Sequence, residues 1–113
     1  MLFIDNSVIA GTLTVSNAGV SRIGSINATN INLSAAANRS IGTSGPMIVG
    51  VVTVANTYVT ATSRIFLTIA TLGAAAPAAM HVSAITPGVG FEITSADVAD
   101  SSTVHYLIIN QAT

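Results

Sequence analysis

Two stretches decide the fold: Arg64-Ile65-Phe66-Leu67-Thr68-Ile69 and Val104-His105-Tyr106-Leu107-Ile108-Ile109-Asn110. In the first, Ile65, Leu67 and Ile69 recur at every second position. In the second, Val104, Tyr106 and Ile108 do the same. A period of two places one set of side chains on one face of a strand. Gly90-Phe91-Glu92-Ile93-Thr94 repeats the pattern, with Phe91 and Ile93 opposite Glu92. In the N-terminal part, Val8 to Val15 alternates Thr12 and Thr14 with Leu13 and Val15.

The punctuation between these runs is that of short strands. Turn-forming residues cluster at Asp5-Asn6-Ser7, Ser16 to Gly19, Gly42-Thr43-Ser44-Gly45-Pro46, Leu72 to Pro77, Thr86-Pro87-Gly88 and Asp97 to Ser102. From Met47 onward the spacing is that of a sandwich or barrel. The alanine-rich run Ala74 to Ala79 has Pro77 in its middle, which predicts a loop and not a helix. Val, Ile and Thr abound while Lys is absent and Glu occurs once, which also favours strands.

Composition narrows the function classes. The 113 residues are 50% hydrophobic, 6% charged and 4% aromatic, with a net charge of −1. Disordered chains have the reverse balance. Three arginines cannot make the basic face that nucleic acid needs. With no cysteine there is no disulfide framework, thiolate zinc site or cysteine nucleophile. Mean hydropathy is +0.73. Yet Gly50 and Thr53 interrupt the most apolar stretch, Met47 to Ala55, so no membrane span is expected. Asp5 and Asn6 follow the first residues at once, which argues against a secretory signal. A surface so poor in charge is expected to be covered by other chains.

The sequence divides near Gly45-Pro46. Residues 1–45 carry isolated apolar residues among Asn, Ser, Thr and Gly, and read as an extended β arm. Residues 46–113 hold four of the five aromatics and read as a compact β domain. Gly11 to Asn17 and Gly50 to Asn56 share a loose pattern, too weak for a solenoid.

Candidate chemistry is sparse. His81 or His105 with Asp97 or Asp100 and Ser101 or Ser102 would supply the parts of a triad, but no G-x-S-x-G elbow presents a serine. The two histidines with a carboxylate could meet a metal on a symmetry axis, although their spacing is not that of a metal motif. The Asp97–Ser102 stretch has too few oxygen ligands at alternate positions for a calcium loop. It reads instead as a turn held by side chain to backbone bonds. Gly42 to Gly45 lacks the lysine of a phosphate loop, and Gly88-Val89-Gly90 lacks the third glycine of a dinucleotide motif. Asn27-Ala28-Thr29 matches a glycosylation sequon, discounted without a signal peptide. Arg22 and Arg39 are read as partner contacts, Phe3 and Ile9 as apolar contacts of the arm, and Arg64 as a partner for Glu92 or Asp100. No cofactor and no enzymatic activity are expected.

The second half resembles a β domain at the C-terminus of many tailed-phage virion proteins. The resemblance spans about residues 47–110. It rests on the run Val51 to Thr68 with its Ser63-Arg64-Ile65-Phe66-Leu67-Thr68 strand, on Gly90 to Ser95, and on the closing Asp100 to Ile109 strand. It implies a small antiparallel β-sandwich or jelly-roll-like knob, usually a homotrimer, with a structural role and no catalytic residue to carry over. The alanine-rich loop departs from the glycine common there. Given the short chain, the expected function is a capsid decoration (cement) protein. It would bind the major capsid protein on the outer capsid surface of the virion, with neither nucleic acid nor membrane as partner. The alternative is a short head or tail fibre, or its terminal trimerisation knob.

Overall fold

A computed structural model of the chain describes residues 29–111. The chain divides into two units, Met1–Ile31 and Asn32–Thr113. Val8 to Val15 therefore lies outside the described residues. The second unit contains six strands: β1 Ile41–Thr43, β2 Val51–Ala55, β3 Arg64–Thr71, β4 Met80–Thr86, β5 Gly90–Ser95 and β6 Thr103–Ile109. They form two three-stranded antiparallel sheets of order β1-β6-β3 and β2-β5-β4.

The alternation explains why two sheets form. On β6, Val104, Tyr106 and Ile108 are buried while His105 and Ile109 are exposed. On β5, Phe91 and Ile93 are buried. On β3, Ile65, Leu67 and Ile69 face inward and Phe66 and Thr68 outward. Each sheet therefore has one apolar face to hide, and stacking the two hides both. Among the described residues, Val54, Phe91 and Ile93 of one sheet and Val104, Tyr106 and Ile108 of the other form the buried core, with Met47 and Val59 from the loops.

The turns have local causes. Pro87 and Gly88 join β4 to β5. Pro87 presets one backbone angle and Gly88 supplies φ +71°, while the Val89 amide donates to the Thr86 carbonyl at 3.0 Å. Ile48 and Val51 exchange two backbone hydrogen bonds around Val49 and Gly50, whose φ values are +55° and +74°. That tight turn is why β2 begins only at Val51 within the apolar stretch from Met47. The alanine-rich segment is a loop between β3 and β4.

Gly42 and Thr43 are strand residues and not turn residues. They pair with Tyr106 and His105 on β6. The division at 45/46 falls between β1 and β2, inside the compact unit. A three-residue strand with a glycine at its centre and a serine on either side has too little periodicity to announce itself.

Candidate functional site

The acidic turn before β6 is a structural network. Asp100 is buried. Its Oδ2 accepts from the Ser95 hydroxyl at 2.7 Å and its Oδ1 from the Ser102 amide at 2.9 Å. Donation by the Ser102 hydroxyl, the Ser102 amide and the Ser95 hydroxyl holds the Asp100 carboxyl below its ordinary pKa, against the opposing pull of burial. Asp97 Oδ1 accepts from the Ala99 amide at 2.8 Å, closing the turn. The two serines reach the other way: Ser102 Oγ accepts from the Gly73 amide at 2.9 Å and Ser101 Oγ from the Ala74 amide at 3.2 Å. The carboxylates that a triad would need thus hold the β5–β6 turn, and the serine hydroxyls fasten the β3–β4 loop to the start of β6.

The histidines sit in different sheets, His81 on β4 and His105 on β6. His105 Nδ1 lies 2.8 Å from the Thr43 hydroxyl, its direct cross-strand neighbour. Among the described residues no three metal-ligating side chains come together. The acceptors proposed for Arg64 are engaged elsewhere: Glu92 Oε1 accepts from Ser83 at 2.7 Å and Asp100 is held by its serines.

Of the residues read as partner contacts, Phe3, Ile9 and Arg22 lie outside the described residues. Arg39 is exposed, and its carbonyl accepts from the Asn56 side chain at 2.8 Å. Asn56 is fully buried. Its Oδ1 accepts from the Tyr58 amide at 2.8 Å, while the Thr57 amide donates to Asn38 Oδ1 at 3.0 Å. These bonds clamp residues 38–39 to the turn after β2. In the sequence Asn56 is one asparagine among many polar residues, and only its burial gives it away.

The outward faces of the two sheets differ. On β2-β5-β4, outward Thr94 donates to Ser83, which donates to Glu92, each at 2.7 Å. Ser83 is the extra residue of a bulge opposite β5. This face is polar and bonded to itself. On β1-β6-β3, by contrast, Ile41, Leu107 and Phe66 are direct cross-strand neighbours in one row. Ile41, Leu107 and Phe66 help line a shallow depression of about 390 Å³ on that sheet. Phe66 is 56% exposed. Sequence alternation implies this outward set, but the same alternation draws attention to the inward one.

Two facing antiparallel sheets, a carboxylate network spent on a turn and an apolar row across one outer face define a structural β domain. The chain belongs to the family described as K1 capsule-specific polysaccharide lyase, C-terminal domain, whose model matches residues 38–109. The match runs from the Asn38 clamp to the last residue of β6, and is consistent with the phage virion β domain that residues 47–110 resemble. No curated protein and no solved structure matches the chain significantly.

Proposed function

We propose that this chain is a non-catalytic structural component of a phage virion, whose β domain is the terminal homotrimeric knob of a short fibre or spike. The family match carries this reading, because it aligns the whole two-sheet unit with a domain that ends a larger polysaccharide-directed protein. A terminal domain of that kind assembles and presents, and its polar groups here are consumed in holding turns. The attachment reading thereby gains over lattice-wide cement.

The cement reading is favoured by one feature, a neutral surface with few charges, which suits flat packing on a repeating shell. In that version the trimer binds the major capsid protein on the outer capsid surface and stabilises the lattice by mass action.

Copy number per particle, measured by quantitative mass spectrometry against the major capsid protein, separates the two. A few copies to a few tens fit a fibre or spike. Stoichiometry near that of the capsid protein fits cement and overturns the spike reading. Absence from the particle overturns both.

A further inference from the structure

We propose that the outward face of the β1-β6-β3 sheet is where the β domain packs against another copy of itself, with the row Ile41–Leu107–Phe66 at the centre of the contact. The proposal rests on the homotrimer reading above and assigns it a surface.

An antiparallel sheet with one face in the core ordinarily turns a polar face to water. The β2-β5-β4 sheet obeys this, through its Thr94–Ser83–Glu92 chain. The β1-β6-β3 sheet departs from it along one row. Its outward row Ile41–Leu107–Phe66 crosses all three strands in register, and Ile109, half exposed, lies beyond on β6. Burying such side chains removes apolar area from water and favours association. A domain of this size has a marginal core, so that gain matters to it.

Charge complementarity argues for a second copy as the occupant. The row beside the apolar one is Thr43–His105–Thr68, again directly cross-strand. The Thr43 and Thr68 hydroxyls each donate and accept, and the His105 ring already pairs with the Thr43 hydroxyl at 2.8 Å, so this row can bond to its own copy. A row of like charges would repel its own copy. Of the outward side chains on these three strands only Arg64, at the start of β3, carries a permanent charge. β3 and β6 carry this face for about 23 Å and β1 for about 10 Å of that length. The apolar row is therefore the centre of a contact whose larger part, of the about 800 Å² per partner in a standard interface, comes from the surrounding surface.

The test uses the full chain. Light scattering on the wild type, Phe66→Glu and Thr86→Glu measures mass. Thr86 is exposed on β4 of the other sheet. The expected result is a trimer for the wild type and Thr86→Glu, and a threefold lower mass for Phe66→Glu with its β-sheet circular dichroism retained. Phe66→Glu at wild-type mass overturns this surface and leaves the trimer standing. A monomeric wild type overturns the trimer reading and this proposal together. If Phe66→Glu does not fold, Phe66→Cys decides, since the chain has no cysteine of its own. Protection from maleimide until unfolding, beside fast labelling of Thr86→Cys, supports the contact. Equal labelling overturns it, as does protection that appears only in the assembled particle, where another protein would be the cover.

Discussion

The rings of Phe91 and Tyr106 meet edge to face, with centroids 5.2 Å apart and planes at 81°. Phe91 belongs to β5 and Tyr106 to β6, the central strands of the two sheets. The contact therefore joins the sheets at their middles. Edge-to-face pairs add about 0.5–1.5 kcal/mol beyond the area they bury. Phe91→Ala removes both the pair and the volume, and should cost about 3–5 kcal/mol. That is a large part of the stability of a small domain. Urea denaturation measures it, with exposed Tyr58→Ala as the comparison. Equal shifts in midpoint for the two variants would show that the sheets are not held together here.

Asp100 predicts the acid behaviour of the fold. Its folded pKa is lowered, so the unfolded chain binds its proton at higher pH than the folded one. Stability from this group is complete above the unfolded value of about 4 and is lost as pH falls through the folded pKa. Asp100→Asn should flatten that acid limb. Asp100→Ala should destabilise at neutral pH as well, because the buried Ser95 hydroxyl and the Ser102 amide lose their acceptors, at about 1–3 kcal/mol for each orphaned group. Thermal unfolding from neutral pH to about pH 2 checks both. Parallel wild-type and Asp100→Asn profiles would remove Asp100 from the account.

Asn56 is the corresponding point for the chain entering the domain. Asn56→Ala removes the donor to the Arg39 carbonyl and the acceptor of the Tyr58 amide. The expected loss is about 1–3 kcal/mol, with a cavity at a fully buried site. Hydrogen exchange should show faster exchange at Thr57 and Tyr58 and along β1, with the β4–β5 hairpin little changed. Unchanged protection of β1 would mean that its pairing with β6 alone holds the entry segment.

Strands that bury one face were legible before the structure, because a period of two is dictated by the core. Ile65, Leu67 and Ile69 on β3, Phe91 and Ile93 on β5, and Val104, Tyr106 and Ile108 on β6 all read correctly. The turn at Pro87-Gly88 read correctly because only a few residue types satisfy its backbone. What did not read was set by partners distant in sequence. β1 is three residues long and exists because β6 offers it a ladder. Tyr58 and Phe66 are two of the four aromatics of the β domain and both are exposed, so residue type alone does not separate them from buried Phe91 and Tyr106. The Asn56 clamp needs residues 38 and 39 beside the turn after β2, a proximity that spacing does not encode.

Val49 supplies the last prediction. Its φ of +55° is in the left-handed region, which a β-branched residue occupies at a cost. Two-residue hairpin turns with both central residues at positive φ favour Asn-Gly. Here Gly50 meets the requirement and Val49 does not. Val49 is 69% exposed, so little packing offsets the strain. Val49→Asn should therefore stabilise the domain by about 1 kcal/mol, raising the melting temperature by several degrees. Gly50→Ala should do the opposite. Its Cβ would sit 2.6 Å from the Asp97 carbonyl oxygen, at a φ of +74°. A fall in melting temperature for Val49→Asn would mean that the valine side chain makes a stabilising contact outweighing its strain. Exposed Ile48 on the same turn and Val98, next to Gly50 across the turn, are the neighbours for such a contact. Val49→Asn repeated in an Ile48→Thr background would then reveal the coupling as a departure from additivity.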